Sequence, residues 1–312
     1  MRSWLFYLAF SLRQQARARI LVWTSFGLLA LAALVVHVNT RVGRWNLEHV
    51  RVTLRTSEST SLEAVRVRYG EVLATVEFTS LLANALGPGA GPSAVAAALR
   101  GAMFEGASLR IFVGAVVVNL LSSLLVPLWT LTFAGESLGR FRDNRSLSWL
   151  LMRPLPRPAI YLGSYLAALP WCLALNLGGY AILCLLGGDP GHRALGMFWP
   201  AILLGTLAFA ALFQLLSVTF KRAGILGLLY VFFFEMIAGN MPGQQKRLCI
   251  SYYVRSLIVD RMSDEGAPLD LMGTRPPMSE TTATLVLLGV AIVLVAVGMA
   301  VFSRKEYVAS EG

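Results

Sequence analysis

Apolar runs of membrane-spanning length alternate along the chain with short basic stretches. The runs cover 20–38, 111–134, 159–187, 196–220, 223–239 and 282–303. A hydrocarbon core of about 30 Å takes about 20 helical residues, and up to about 25 with tilt. Six transmembrane helices are therefore expected. The third run is longer than a span needs, and Pro170 is expected to kink it. Only Lys221 and Arg222 separate the fourth run from the fifth. Those two runs must form an antiparallel hairpin.

Weaker patterns fill the gaps. Residues 3–16 are apolar but too short to span. Leu5, Leu8, Ala9 and Leu12 share a stripe opposite Ser3, Tyr7, Ser11 and Gln14, as in a helix lying in the interface plane. A cleaved signal peptide is the rival for this end, but the basic stretch before the first run is too long for one. The polar segment 39–110 has period-two alternation at Val50, Val52, Leu54 and at Val65, Val67, Tyr69, which predicts short strands. Between runs five and six, Ile250, Tyr253, Val254, Leu257 and Ile258 follow i, i+3, i+4, i+7, i+8. That spacing predicts an amphipathic helix, placed here on the outer surface as a lid or a packed loop.

Composition agrees with this reading. The chain is 56% hydrophobic and 14% charged, with a mean hydropathy of +0.64. An ordinary soluble domain is excluded. The net charge of +10 would suggest nucleic acid in a soluble protein. Here the basic residues flank apolar runs and set topology instead. The loops at 135–157 and 221–222 are densely basic, which places both termini in the cytoplasm. The preponderance of arginine over lysine, with abundant Ala, Gly and Leu, indicates a GC-rich bacterial source.

Several chemistries are missing. The chain has no G-x-x-x-x-G-K-[ST] run, and none of its lysines follows a glycine. It has no H-E-x-x-H. Cys172, Cys184 and Cys249 lack metal-ligand spacing and suggest no disulfide framework. His37, His49 and His192 lie at run ends or in outer loops, away from any serine that they could activate. No cofactor is expected on this chain, and no catalytic cluster appears at one depth.

One charge lies inside an apolar run: Glu235, in YVFFFEMIAGN. Insertion scales put an acid at mid-bilayer at about 2.5–3.5 kcal/mol. It is either a contact on a transport path or gate, or a hydrogen-bonded structural acid. Asn119 and Asn176 raise the same pair of options, with interhelical bonding favoured.

The stretch 133–162, FAGESLGRFRDNRSLSWLLMRPLPRPAIYL, is the richest in the chain. Arg140, Arg142, Arg145, Arg153 and Arg157 stand against Glu136 and Asp143. Leu147, Leu150 and Leu151 recur at helical spacing, and Pro154, Pro156 and Pro158 then end the helix. A short basic amphipathic helix between two spans either lies on lipid or docks into a soluble partner.

These residues resemble the permease subunits of ABC transporters of the type-2 exporter class. The matching features are Leu150-Leu151, Arg153-Pro154, Arg157 and Leu162-Gly163. FFFEMIAGNMPG at 232–243 with Ser251-Tyr252-Tyr253, and FSRKEY at 302–307, are also similar. The chain departs from the usual pattern at Phe141, Arg145-Ser146 and Ser164. The resemblance implies an all-α membrane domain of six spans, with an N-terminal interfacial helix and a cytoplasmic coupling helix over 136–153. It implies a dimer of permeases in the bacterial inner membrane, surrounded by lipid. It also implies a separate cytoplasmic ATPase that binds the ATP, and outward transport. A non-transporting scaffold or sensor that recruits a cytoplasmic protein is the alternative. A membrane-embedded enzyme is a more distant one.

Overall fold

The computed structural model describes residues 19–42, 108–135, 156–220, 222–237, 244–264 and 278–304. Among them every element is helical and no strand occurs. Five helices are long and apolar enough to cross a membrane. They are α1 (Arg19–Arg41), α2 (Ser108–Ala134), α3 (Arg157–Leu186), α4 (Asp189–Thr219) and α7 (Glu280–Arg304). The architecture is that of a multi-pass membrane protein. The expected interfacial helix at 3–16, the strands of 39–110 and the 136–153 helix lie outside the described residues.

The fifth apolar run is described as far as Ile237. α5 (Ala223–Ile237) is an α-helix over Ala223–Tyr230 and a π-helix over Val231–Ile237. At 1.5 Å per residue the described part is about 22 Å long. A 3-10 turn, Gln244–Leu248, leads into α6 (Ile250–Asp264).

α4 is the central helix. Ala208, Phe209, Ala210, Ala211 and Phe213, which go all the way round the helix, are buried. It begins earlier than its apolar run suggested. Gly188 takes φ 71, a left-handed conformation that glycine accommodates, and ends the preceding turn. Pro190 then sits in the first helical turn, where its missing N–H costs nothing. The segment 189–195, which precedes the apolar run, is thus the first turns of a helix. α3 continues unbroken through Pro170.

α5 and α6 share α4 between them. Tyr230 of α5 meets Phe213 edge-on at 6.3 Å. Val254 of α6 sits against Gly205, where an added Cβ would come within 2.8 Å of it. Arg261, two turns further along α6, donates to the carbonyl of Met197. Both elements therefore run antiparallel to α4, α5 along its last turns and α6 along its middle and first turns. Of the two expected placements of the 250–264 helix, a lid or a segment packed on the bundle, the contacts are those of the second. Ser251, Val254, Leu257, Ile258 and Met262 are all buried. Periodicity shows that a helix has an apolar face, and it does not show how deep the helix sits.

Close approaches hold the remaining helices. Gly298 of α7 lies so near Tyr161 of α3 that a Cβ there would fall 2.0 Å from the phenolic oxygen. Small residues at helix contacts are the usual way to gain packing where apolar burial gives little drive. At one end of the bundle Thr40 donates to the carbonyl of Leu186 at 2.9 Å. At the other end Arg157 donates to the carbonyl of Ser303 at 3.2 Å.

Candidate functional site: the junction of α5 and α6

The Glu235 side chain is fully buried. Its Oε1 accepts from the Tyr230 hydroxyl at 2.9 Å and from the Ile250 N–H at 3.1 Å. Its Oε2 accepts from the Ser251 N–H at 3.1 Å. Ile250 and Ser251 open α6, and the first N–H groups of a helix have no partner within the helix. Glu235 supplies that partner from another element. It also places negative charge at the positive end of the helix dipole, an effect worth up to about 2 kcal/mol when partly buried. Next to it, the Cys249 thiol donates to the Phe234 carbonyl at 3.0 Å.

Local sequence explains how Glu235 is aimed. Phe209, Phe213, Tyr230 and Phe234 form an aromatic ladder, with centroid spacings of 5.9, 6.3 and 5.3 Å. The ladder fixes the Tyr230 ring, and the Tyr230 hydroxyl fixes one carboxylate oxygen. The π-helical turn of Val231–Ile237 turns Glu235 inward while Phe232, Phe233 and Phe234 stay exposed.

α2 closes the junction from the far side, and its facing segment Val113–Leu125 is also π-helical. In a π-helix each N–H reaches the carbonyl five residues back. Here side chains reach the same carbonyls. Asn119 Nδ2 donates to Gly114 O at 2.8 Å, and Ser123 Oγ donates to Val118 O at 2.7 Å. The widened turn presents two groups to α6. Ser251 Oγ donates to the Ser122 carbonyl at 3.3 Å, and Arg255 Nη2 donates to Ser123 Oγ at 2.7 Å. Ser122 lies midway along α2, so α6 begins inside the bundle.

The far end of α6 is also clasped. Arg261 donates to Glu280 Oε1 through Nε at 2.9 Å and through Nη2 at 2.5 Å. The Glu280 N–H donates to Asp260 Oδ2 at 2.6 Å. α6 is thereby tied to α2, α4, α5 and α7.

Of the residues singled out from sequence, Glu235 forms the hub of this junction. Asn119 does not join it: its side chain is exposed and bonds its own helix. Asn176 is buried elsewhere. Its Nδ2 donates to Thr130 Oγ1 at 3.0 Å and Thr206 Oγ1 at 3.1 Å, linking α3 to α2 and α4. Each threonine passes its own proton to the carbonyl four residues back, at 2.6 and 2.7 Å. Arg157 opens α3 and bonds the last turn of α7. Glu136, Arg140, Arg142, Asp143, Arg145, Leu147, Leu150, Leu151 and Arg153 lie outside the described residues. Tyr230, Ser123, Ser251 and Arg255 were not anticipated. Ser251 and Arg255 are an i, i+4 pair, but nothing in that spacing names α2 as their partner.

The three cysteines are free and buried, and no cluster of metal-ligating side chains occurs among the described residues. The arrangement holds no nucleophile with a base. What it provides is a carboxylate that joins two short helices end to end inside a bundle. The class is thus a helical membrane protein with a hydrogen-bonded break in its interior. A scan of protein-family models and a search of curated proteins both found no match to this chain.

Proposed function

We propose that this chain is the membrane-spanning permease subunit of an ATP-driven transporter of the exporter type. The observation that carries the reading is the break between α5 and α6. In this reading the two short helices together make the fifth of six crossings, interrupted after Glu235. Discontinuous crossings are how transporters place polar groups and a hinge at mid-membrane. α1, α3, α4 and α7 are continuous and can act as the frame against which such a hinge works.

The energy source lies in another chain, because this sequence has no nucleotide motif. The basic helix at 136–153 is the docking element for a cytoplasmic ATPase. Leu147, Leu150 and Leu151 form its apolar face, and Arg142, Arg145 and Arg153 pair with acids on the partner. Asp143 or Asn144 would cap the turns that carry the leucines. Closure of two ATPases on a permease dimer would move this helix and, through α2 and α3 on either side of it, the junction at Glu235. Both termini face the cytoplasm of a bacterial inner membrane, as the basic loops dictate.

Co-purification with a cytoplasmic ABC ATPase expressed alongside this chain tests the reading. Leu150→Asp places a charge in a buried contact, which typically costs several kcal/mol. It should abolish ATPase binding and transport and leave membrane insertion unchanged. A complex of normal stoichiometry that carries Leu150→Asp with Arg145→Glu would overturn the docking role.

A further inference from the structure

α4 and α5 diverge from the turn that contains Arg222 and leave a groove between them. Leu212 and Leu216 form one wall, and Leu226, Leu229, Tyr230 and Phe233 form the other. The cavity is about 300 Å³ and opens outward from the bundle. Ile225, Leu228 and Phe232 beside it are exposed. Its walls are carbon except for the Tyr230 hydroxyl, and that hydroxyl is turned to Glu235.

Phe220 marks the foot of the groove. Arg222 is two residues further on, so its Cα lies within about 7 Å of that of Phe220. Arg222 is exposed. Among the described residues its side chain has no hydrogen-bond or ion-pair partner. The groove thus combines an apolar trough, about 12 Å long over the rise from Leu212 to Phe220, with a cation at one end. A phospholipid has the same two parts in the same order.

We propose that this groove binds an acyl chain of an anionic phospholipid whose phosphate is held by Arg222. Basic pockets between helices at the cytoplasmic side suit anionic head groups. A second copy of the chain fits the site less well. Seated here in the same orientation, it would bring its own basic turn to the same depth, charge against like charge. Bare apolar contact also gives little association in lipid. The site does not depend on the transport reading. It does touch the junction: an acyl chain in the groove packs on the Tyr230 ring, and Tyr230 holds Glu235. Lipid occupancy therefore supports the bond that starts α6.

Native mass spectrometry of the full-length protein tests this, using phosphatidylglycerol and phosphatidylcholine with identical acyl chains. Phosphatidylglycerol should be retained about fivefold better, the preference one surface cation gives. Arg222→Glu should remove that preference without removing all bound lipid. Leu216→Trp fills the trough and should reduce retention of both lipids. Should Leu216→Trp fail to fold, a phospholipid with a diazirine on its acyl chain replaces it, and should label peptides spanning 212–233 in the wild-type protein. An unchanged preference in Arg222→Glu, or label confined to α1 and α7, would overturn the proposal. So would a disulfide between copies through Leu229→Cys at high yield in lipid bilayers, which would assign the groove to a dimer contact.

Discussion

Ser251 gives its backbone N–H to the Glu235 carboxylate at 3.1 Å, from the start of one helix to the helix before it. An acid at a helix start is common, but here the acid belongs to the preceding helix. A cap of this kind does more than satisfy an orphan donor. It fixes the end of one helix to the beginning of the next, so any motion of α6 against α5 must pass through it.

Glu235→Gln should therefore destabilise the protein even though the amide is nearly isosteric. The carboxylate accepts on both oxygens, whereas glutamine offers one acceptor and turns an NH₂ toward a backbone N–H. A buried donor left unsatisfied costs about 1–3 kcal/mol. Tyr230→Phe removes one donor and leaves both backbone bonds in place, so it should cost less, about 1 kcal/mol. Thermal unfolding in detergent should rank wild type above Tyr230→Phe and Tyr230→Phe above Glu235→Gln. Equal midpoints for all three would show that the bonds carry no stability. A loss of transport by Glu235→Gln beyond what its abundance explains would add a role in the gate.

The clasp at the other end of α6 should be weaker. Arg261 and Glu280 are half-exposed, with side-chain exposures of 28% and 37%. Exposed ion pairs contribute only about 0.2–1 kcal/mol. A double-mutant cycle with Arg261→Gln and Glu280→Gln should give a coupling energy in that range, falling as salt is added. Asp260→Ala removes the acceptor for the first N–H of α7 and should cost about 1 kcal/mol. A salt-independent coupling would mean that the pair is shielded from solvent in the assembled protein.

Gly298 should tolerate no side chain. A Cβ at that position meets the Tyr161 oxygen at 2.0 Å and its ring carbon at 2.2 Å. Overpacking of this kind typically costs about 1–3 kcal/mol. Gly298→Ala should lower the unfolding midpoint, and Tyr161→Leu in the same chain should recover part of the loss by freeing the space. The absence of any rescue would mean that the glycine serves the helix itself rather than the contact with α3.

The sequence showed most of the helices and little of the junction, for a physical reason. Apolar length marks a membrane helix directly, so α1, α2, α3 and α7 end within a few residues of their runs. α4 extends seven residues before its apolar run, because polar Asp189-Pro190 starts the helix, where aspartate and proline are favoured. Ile250, Val254, Leu257 and Ile258 announced α6 but not its depth, because Ser251 and Arg255 look like solvent-facing positions. They are polar because α2 offers them a carbonyl and a hydroxyl. Glu235 was visible as a misplaced charge. Two of its three partners are backbone N–H groups, which every residue but proline has, so no sequence pattern could name them. The π-helical turns of α2 and α5 have no signature in residue type.

Cys249 gives a native reporter of the break. Its thiol is buried beside Glu235 and bonded to the Phe234 carbonyl. Only separation of α6 from α5 would expose it, so its alkylation should follow that local opening. Cys172 and Cys184 are also buried, and serine at both positions leaves Cys249 as the single reactive site. In that background a membrane-impermeant maleimide should label the protein slowly. Glu235→Ala removes the cap from two backbone donors and should raise the opening equilibrium. Each 1.4 kcal/mol lost from the closed state raises an opening equilibrium about tenfold. A labelling rate at least about tenfold above the parent is expected, with an intermediate rate for Tyr230→Phe. Addition of ATP to the assembled transporter should shift the parent rate as well, because the proposed cycle moves the same junction. A rate insensitive to Glu235→Ala would show that α6 stays in place without its cap. The break would then be a static feature of the fold, and the hinge would have to be sought elsewhere in the bundle.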